Sequence, residues 1–402
     1  MTWAVVGAGY TGIAVAAGLL EAGVTVDVLD SRPAPGGLWY DGVYDDVTLI
    51  TTRKVTAYPG HPMPSGATFP RSAELLAYLQ DVAHRTGVTR SLRQHKVQKV
   101  TRSGDGWDVD GTSYDGVVLA TGLFTEPRIP VLPGVLHIPT LHTADYKHIG
   151  ELGDNVLVVG LGNSGADVAE ACVSAGKRVT LAVGRARHVL PRRVLGRPLV
   201  EMSPPPLVPD LAVRAALDLT TRAATALWRT GRLGEPAHLM LAETPVVHSA
   251  LLPLLRRGAV RVRPAVTALD GDGVLFRDGR RESFDTVVWA TGYDHSLPMA
   301  RSLIDSSPRP YGSPPLSLVG GVWSAVSPGL AVVGHREPRQ GRGRYLSAVA
   351  DLVVAGALAQ ERTTAAVGAL LAETVRPDRA RVVEDGAELR RLRRLTKAAH
   401  AI

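Results

Sequence analysis

The sequence contains the same glycine pattern twice, each time between a short apolar run and an alanine-rich stretch. The first copy is Gly7-Ala8-Gly9-Tyr10-Thr11-Gly12, and the second is Gly160-Leu161-Gly162-Asn163-Ser164-Gly165. In a dinucleotide-binding fold the first glycine makes a tight turn, the second lets the backbone approach a pyrophosphate, and the third lets the helix pack on the sheet. The helix N-terminus then offers free N–H groups to the phosphates. One copy would be weak evidence, but two copies in the same setting predict two dinucleotide-binding units.

Each copy is followed by the same series of elements. A second apolar run comes next, then an alternating stretch broken by a glycine turn at 103–106 or 271–273, and then a buried strand that ends in Ala-Thr-Gly, at 120–122 and 290–292. This order predicts an α/β fold with two Rossmann-like domains, each built on a central parallel sheet with an antiparallel meander.

The two copies differ at the end of their second strand. Asp30 stands there in the first copy, where a carboxylate accepts hydrogen bonds from the ribose hydroxyls of a dinucleotide such as FAD. The second copy has Gly184 and Arg185 there, with Arg187 close by, and an arginine pairs with a 2′-phosphate. The first unit is therefore expected to bind FAD and the second NADPH.

These assignments define the expected domains. Residues 1–150 and 295–402 form a discontinuous FAD-binding domain, and residues 151–294 form an NADP-binding domain inserted into it. The apolar spacing over about 203–258 predicts a helical insertion that either lines a substrate pocket or covers the sheet.

Composition excludes several classes of protein. The net charge of +7 suits anionic cofactors, but the arginines are scattered without interleaved aromatic residues, so no nucleic-acid binding is expected. No apolar run is long enough to span a bilayer, so no stable membrane span is expected and a cytoplasmic location is the default. The single cysteine, Cys172, excludes a Cys-x-x-Cys redox pair and is expected to pack in the core. No metal-ligand cluster is visible, and a homo-oligomer is compatible with the sequence, which does not specify an oligomeric state.

Several motifs together resemble those of class B flavin-dependent monooxygenases of the flavin-containing monooxygenase type. Besides the two glycine patterns and Asp30, they are Gly36-Gly37-Leu38-Trp39, the segment 58–64, the Asp167 that closes Gly-Asn-Ser-Gly-Ala-Asp, and Ala290-Thr291-Gly292-Tyr293. They cover most of the chain from residue 3 to about 350. The resemblance implies that NADPH reduces FAD, and that the reduced flavin and dioxygen form a C4a-(hydro)peroxyflavin, which oxygenates a nitrogen or sulfur centre of a small organic substrate. Two alternatives share the cofactor motifs: Baeyer–Villiger oxidation of a ketone, and an NADPH oxidoreductase without oxygen insertion.

The glycine patterns and the resemblance together give the expected cofactor-contacting residues. In the first unit they are Gly7, Gly9, Tyr10, Thr11, Gly12, Asp30, Ser31, Arg32, Gly37, Leu38, Trp39, Val97, Ala120, Thr121, Gly122 and Gly334. In the second unit they are Gly160, Gly162, Asn163, Ser164, Gly165, Arg185, Arg187, Thr291 and Gly292.

The expected catalytic residues lie where the chain departs from the family pattern. In the segment 136–146, His142 and Tyr146 match the family's linker motif, whereas Leu136 and Ile138 replace its aromatic residue and glycine. The Tyr ending favours heteroatom oxidation over the Baeyer–Villiger reaction, and His142 is expected to be catalytic or to pack in the linker. Family members that oxidise heteroatoms usually carry an asparagine near the flavin C4a position, where this chain has Ile50. The hydroxyl of Thr51 or Thr52 is expected to take its place.

Overall fold

The computed structural model describes residues 1–45, 47–202, 233–234, 236, 244–294, 297–303, 318–338, 342–373, 382–383 and 385–402. The chain divides into two compact units. The first contains residues 1–42, 51–126 and 294–402, and the second contains residues 43–50 and 127–293. The second unit thus interrupts the first, although its boundaries differ from those expected.

The difference in boundaries has a structural cause. The chain enters the second unit at residue 127 rather than 151, because the strand Thr140–His142 joins the second sheet and the N–H of Arg128 donates to the carbonyl of Gly292 at 3.0 Å. Residues 43–50 also belong to the second unit, where the hydroxyl of Tyr44 donates to Asp167 at 2.7 Å.

The helices of the described residues are numbered in chain order. They are α1 (Tyr10–Glu21), α2 (Leu38–Asp41), α3 (Arg53–Thr56), α4 (Ser72–Arg85), α5 (Val88–Ser91), α6 (Asn163–Ser174), α7 (Leu251–Arg256), α8 (Arg342–Gln360), α9 (Val367–Ala372) and α10 (Asp385–Ala401).

The strands are numbered in the same way. They are β1 (Thr2–Val6), β2 (Thr25–Asp30), β3 (Leu92–Gln94), β4 (Val100–Ser103), β5 (Gly106–Val109), β6 (Thr112–Tyr114), β7 (Gly116–Leu119), β8 (Glu126–Pro127), β9 (Thr140–His142), β10 (Asn155–Val159), β11 (Arg178–Val183), β12 (Val189–Leu190), β13 (Arg193–Val194), β14 (Arg197–Pro198), β15 (Val246–Val247), β16 (Val260–Pro264), β17 (Val266–Asp270), β18 (Gly273–Phe276), β19 (Arg281–Ser283), β20 (Thr286–Trp289), β21 (Tyr293–Asp294), β22 (Leu318–Val319), β23 (Trp323–Ser324), β24 (Leu330–Val332), β25 (Glu337–Pro338) and β26 (Val382–Val383).

The first unit is built on a sheet with the strand order β22-β23-β24-β7-β1-β2-β3. The strands from β24 to β3 pair in parallel, and β22 and β23 add an antiparallel edge. The central strands β1 and β7 are almost entirely apolar and buried, as expected of parallel strands covered on both faces. The glycine turn at 7–9 follows β1, so it lies at the carboxyl edge of the sheet, where open α/β sheets bind their ligands.

The second unit repeats this arrangement with the all-parallel order β16-β11-β10-β20-β9. Its turn at 160–162 follows the central strand β10. Cys172 of α6 is fully buried in the apolar core against this sheet, which confirms its expected packing.

The antiparallel meanders predicted from the sequence are present in both units. In the first unit β4, β5 and β6 form a three-stranded sheet, and β17, β18 and β19 do so in the second. The α/β fold with parallel sheets is therefore confirmed, together with its internal repeat.

Most of the expected helical insertion over 203–258 lies outside the described residues, including its apolar positions between Leu211 and Leu241. Its described end contains β15 and α7. Leu251, Leu252, Leu254 and Leu255 of α7 are buried in the core of the second unit, so this part of the insertion covers the sheet. Among the described helices, none has the length and hydropathy needed to cross a membrane.

Candidate dinucleotide-binding sites and active-site residues

The first glycine turn has the close backbone packing that its sequence predicts. Gly7 has a φ of 109°, and a Cβ atom there would lie 2.5 Å from the carbonyl oxygen of Ala120. A Cβ atom on Gly12 would overlap the carbonyl of Gly7, whereas one on Gly9 would make only an ordinary contact of 3.6 Å with Gly37. Gly7 and Gly12 are therefore required by the fold itself. Gly9 leaves open the space that a pyrophosphate would occupy above the N-terminus of α1.

The loop with Gly36 and Gly37 passes directly against this turn. The N–H of Gly36 donates to the carbonyl of Ala8 at 2.9 Å. Gly37 has a φ of 55°, and a Cβ atom on it would lie 2.6 Å from the Cα of Gly9. The loop and the glycine turn thus form one continuous backbone surface, and α2 begins immediately afterwards at Leu38, with Leu38 and Trp39 half-buried.

Asp30 ends β2 with its side chain 7% exposed. Its Oδ2 accepts the N–H of Ala8 at 2.6 Å, and its Oδ1 accepts the N–H of Arg32 at 2.9 Å. A carboxylate has about four lone-pair positions, so the oriented group keeps acceptor capacity for ribose hydroxyls. The neighbouring residues are less enclosed, since Ser31 is exposed and Arg32 forms an ion pair with Asp41 at 2.6 Å.

Two further turns expected at the flavin lie on the same edge of the first sheet. Ala120 follows β7, and its N–H donates to the carbonyl of Val6 at 2.8 Å. Gly334 follows the buried run after β24, with a φ of 85°, and a Cβ atom there would lie 3.2 Å from the hydroxyl of Thr11. The structure therefore brings Gly7, Thr11, Ala120 and Gly334 together. Val97 is 7% exposed and belongs to the apolar cluster under β1 and β2.

Tyr10 belongs to a buried group of tyrosines that fixes the first turn of α1. Its hydroxyl donates to the carbonyl of Thr56, and its ring lies 4.8 Å from that of Tyr58. Burial raises its pKa well above that of an exposed tyrosine, so its hydroxyl remains protonated. This contact connects the first glycine turn to α3.

The two threonines expected near the flavin differ in their surroundings. Thr51 is half-buried, and its hydroxyl oxygen lies 2.8 Å from that of Thr56. Thr52 precedes α3 and is 1% exposed. Of the two, Thr51 is the more accessible hydroxyl, and its catalytic function stays a prediction.

The second glycine turn repeats the geometry of the first. Gly160 has a φ of 118°, and a Cβ atom on it would overlap the carbonyl oxygen of Ala290. A Cβ atom on Gly165 would overlap the carbonyl of Gly160, whereas one on Gly162 would make only an ordinary contact of 3.9 Å with the Nη1 atom of Arg187. Both turns therefore present the same open middle glycine at a helix N-terminus, which fits a pyrophosphate group in each unit.

The residues after the second turn hold neighbouring segments in place. The Oδ1 atom of Asn163 accepts the N–H of Val247 at 2.9 Å. Burial, followed by the charge of Asp167, raises the pKa of Tyr44 well above its usual value, so its hydroxyl donates to Asp167. The hydroxyl of Ser164, in contrast, acts to lower the pKa of Tyr44.

The arginines expected at the 2′-phosphate lie just beyond β11. Arg185 is exposed at the edge of the sheet. Arg187 is half-buried, and its Nη2 donates to the carbonyl of Thr244 at 2.9 Å. Arg187 therefore has a fixed guanidinium beside Gly162, and Arg185 has a side chain open to solvent.

His142 ends β9 and is 1% exposed. Its Nδ1 accepts the N–H of Ala144 at 3.1 Å, which places the ring proton on Nε2, and Nε2 lies 3.0 Å from the carbonyl oxygen of Gly292. Burial lowers its pKa, so the ring is neutral. Both nitrogens are thus engaged by the backbone, and the geometry supports positioning of the Ala290-Thr291-Gly292 turn; the expected catalytic function stays a prediction.

Two other contacts also hold the Ala290-Thr291-Gly292 turn in position. The hydroxyl of Thr291 donates to the carbonyl of Arg128, and the ring of Tyr293 lies edge-on to His142 at 5.0 Å. Tyr146, which ends the linker motif, is 3% exposed and packs in the core with its ring 5.5 Å from that of Tyr44.

Sequence reasoning missed one polar cluster in the second unit, formed by Tyr44, Asp167, Glu170 and His248. Only Asp167 and Glu170 carry a local signal, since their spacing of three residues places them on one face of α6. Within the described parts of the chain, no group of three His, Cys, Asp or Glu side chains could hold a metal ion.

Comparison with known proteins agrees with this architecture. Residues 2–309 match the model of the family described as "FMO-like: Flavin-binding monooxygenase-like". The indole-3-pyruvate monooxygenase YUCCA1 of Oryza sativa subsp. japonica is 32% identical over 320 residues, which cover 73% of this chain and 77% of that protein. The indole-3-pyruvate monooxygenase YUCCA6 of Arabidopsis thaliana is 31% identical over 319 residues, 73% of this chain and 76% of that protein.

Solved structures show the same fold. The closed crystal structure of cyclohexanone monooxygenase has a TM-score of 0.75 at 19% identity, covering 100% of this chain and 97% of that chain. A flavin-containing monooxygenase from Stenotrophomonas maltophilia has a TM-score of 0.66 at 22% identity, covering 88% of this chain and 98% of that chain.

Proposed function

Since the chain belongs to the flavin-binding monooxygenase-like family and is a flavin monooxygenase, an oxidoreductase, we propose a more specific activity for it. It uses FAD and NADPH, and it transfers one oxygen atom of dioxygen to a nitrogen or sulfur centre of a small organic substrate. The other oxygen atom leaves as water, with the two electrons supplied by NADPH.

The observation that carries the cofactor assignment is the contrast between two otherwise equivalent turns. Both have an open middle glycine above a helix N-terminus. At the end of the next strand, the first unit has the buried, oriented carboxylate of Asp30, and the second has Arg185 and Arg187. A carboxylate attracts ribose hydroxyls and repels a 2′-phosphate, whereas arginine binds that phosphate. This contrast supports FAD in the first unit and NADPH in the second.

When bound, the two cofactors supply the hydride transfer and the oxygen activation. The chain's own residues bind and orient them. In the first unit, Gly9 and Gly37 provide a close backbone surface, and Asp30 fixes the ribose. In the second unit, His142 holds the Ala-Thr-Gly turn through Gly292, and its neutral ring adds no charge there.

The nitrogen or sulfur centre is supported by the Tyr146 ending of the linker motif. Ile50 stands where family members usually have an asparagine. Of the two following threonines, Thr51 and Thr52, the less buried Thr51 is the preferred candidate for a hydrogen bond at the reacting oxygen.

A second substrate class is favoured by the relatives named above, which are indole-3-pyruvate monooxygenases. Indole-3-pyruvate is an aromatic 2-oxo acid, so its reacting centre is an electrophilic carbonyl rather than a nucleophilic heteroatom. The carboxylate of such a substrate would require a cation in its pocket.

A product analysis under labelled dioxygen tests the proposal. FAD-loaded protein is mixed with NADPH and ¹⁸O₂ and offered a thioether, a tertiary amine, a cyclic ketone or indole-3-pyruvate. A labelled sulfoxide or N-oxide, formed in proportion to the NADPH consumed, supports heteroatom oxygenation. Labelled product from the 2-oxo acid or the ketone alone assigns the substrate to a carbonyl class. NADPH oxidation that yields only hydrogen peroxide with every compound contradicts oxygen insertion.

A further inference from the structure

A buried histidine, His248, lies beside the second glycine turn, and the proposed function does not account for it. Its side chain is 2% exposed. The Nε2 atom lies 3.1 Å from Oδ1 of Asp167 and 3.2 Å from Oε2 of Glu170, both on α6. The hydroxyl of Tyr44 donates to the other oxygen of Asp167, which fixes the orientation of that carboxylate.

The opposite nitrogen of the ring makes a different contact. The Nδ1 atom of His248 accepts the N–H of Leu251 at 3.1 Å, and Leu251 is the first residue of α7. This contact places the ring proton on Nε2, which faces the two carboxylates. Neither carboxylate oxygen lies in line with that N–H, so the attraction is electrostatic. Burial opposes protonation of the ring, but the two acids outweigh it and raise the pKa of His248.

The backbone just before His248 contacts two residues that are expected to bind phosphate groups, Asn163 and Arg187. The N–H groups of Val246 and His248 donate to the carbonyls of His188 and Leu190, each at 2.8 Å, so β15 pairs with β12. The N–H of Val247 donates to Oδ1 of Asn163 in the glycine motif. This short strand therefore connects the glycine motif to the segment after Arg187.

Arg187 is held by the same strand segment. Its Nη2 donates to the carbonyl of Thr244, two residues before β15. Its Nη1 lies 3.9 Å from the position that a Cβ atom on Gly162 would take, beside the expected pyrophosphate. Moving the strand would therefore displace Asn163's partner and the guanidinium of Arg187 together.

We propose that His248 is a positioning residue for the dinucleotide of the second unit: it anchors β15 to α6, and so holds Asn163 and Arg187 where the phosphate groups of NADPH bind. The inference rests on the proposed function for the identity of that dinucleotide. His248 itself is too deeply buried to contact the cofactor, so its effect passes through these two residues.

Two substitutions of His248 test separately the contacts made by Nδ1 and by Nε2. His248→Asn keeps a short acceptor for the N–H of Leu251 but does not reach the carboxylates. His248→Gln extends an amide donor toward Asp167 and Glu170. With FAD-loaded protein, the Kd for NADP⁺ measured by calorimetry is expected to rise about tenfold in His248→Asn and to stay within about threefold of wild type in His248→Gln. The KM for NADPH should rise in parallel while kcat at saturating NADPH is retained, and the FAD content should not change.

Glu170→Gln provides an independent test, because Glu170 is 46% exposed and tolerates substitution. It should raise the Kd for NADP⁺ about threefold. This variant decides the question if His248→Asn fails to fold. An unchanged Kd in both His248→Asn and Glu170→Gln, or a Gln variant as weak as the Asn variant, overturns the inference. Wild-type protein that does not prefer NADP⁺ to NAD⁺ contradicts the proposed cofactor instead, so the two failures are distinguishable.

Discussion

The carboxylate of Asp30 accepts the backbone N–H of Ala8, the second residue of the first glycine motif, at 2.6 Å. The end of β2 is thereby connected directly to the turn after β1. One side chain orients the turn and keeps acceptor capacity for the ribose of the proposed FAD, so the fold and the proposed cofactor site depend on the same group.

Asp30→Asn tests this double dependence. The amide keeps one acceptor oxygen but loses the charge and turns the other position into a donor that faces a backbone N–H. Hydrogen bonds to charged groups contribute about 1.5–3 kcal/mol, so the Kd for FAD is expected to rise at least about tenfold. Fluorescence titration of the apoprotein with FAD measures it. Asp27→Asn, on the same strand but directed to Tyr114, is the matched control and should bind FAD as wild type does.

Arg185→Ser tests the preference for NADPH. Removal of a guanidinium from the end of β11 is expected to lower the ratio of kcat/KM for NADPH to that for NADH by about tenfold or more, because a charge-assisted contact with the 2′-phosphate is lost. Arg193→Ser is the control, since Arg193 is exposed and its guanidinium donates to the carbonyl of Gly196 in its own hairpin. An unchanged ratio in Arg185→Ser would assign the 2′-phosphate to another residue.

His142 predicts a pH dependence of stability. Its pKa is lowered in the folded state by burial, and protonation of Nδ1 would direct an N–H at the N–H of Ala144. A folded-state pKa below the unfolded value means that the unfolded chain binds the extra proton first. The stabilisation is therefore fully present above the unfolded pKa of roughly 6.5 and is lost as the pH falls through the folded pKa.

The free energy of unfolding of the wild type and of His142→Gln is measured by denaturant unfolding at pH 8 and pH 5. The variant should be less stable by about 1–2 kcal/mol at pH 8, and the gap should narrow at pH 5 as the wild type loses its advantage. His84→Gln, at an exposed position of α4, should follow the wild type at both values. A gap that widens toward acid pH would contradict the neutral ring.

Thr51→Val tests the hydroxyl expected near the flavin. Valine has nearly the same shape, so the fold should be retained while the contact with Thr56 is lost. The expected result is uncoupling: more hydrogen peroxide and less oxygenated product for each NADPH consumed, with an unchanged KM for NADPH. Thr52→Val, at a buried site, should alter coupling less than Thr51→Val does. Equal coupling in wild type and Thr51→Val would remove Thr51 from the reaction.

The parts of the fold that the sequence predicted are those with a local physical cause. A glycine between a strand pattern and a helix pattern predicts a tight turn, because glycine adopts a positive φ without strain. Gly7 and Gly160 could therefore be placed in turns without a structure. The meanders and the buried strands follow from patterns a few residues long. Cys172 could be assigned to the core by helical spacing alone.

The parts that were not predicted depend on contacts distant in sequence. Tyr44 lies in the sequence between two segments of the first unit but belongs to the second unit. Its hydroxyl donates to Asp167, which is 123 residues away in the sequence. His248 has no periodic neighbours that distinguish it from a surface residue, and its burial arises from the fold. His142 could be recognised as special, but only its contacts with Ala144 and Gly292 show which function the ring nitrogens serve.

In both units the first glycine of the motif leaves no room for a side chain against the alanine of Ala-Thr-Gly, at Ala120 and at Ala290. The glycine turn and the Ala-Thr-Gly segment of each unit lie more than a hundred residues apart in the sequence. Because they are in direct contact, a substitution in one is tolerated only if the other changes with it. Arg185, which is proposed to select the ligand of the second unit, is exposed and is under no such restriction. If the two halves descend from one ancestral gene segment, the glycine and alanine of this contact should be retained in both halves longer than the residues that select the ligand.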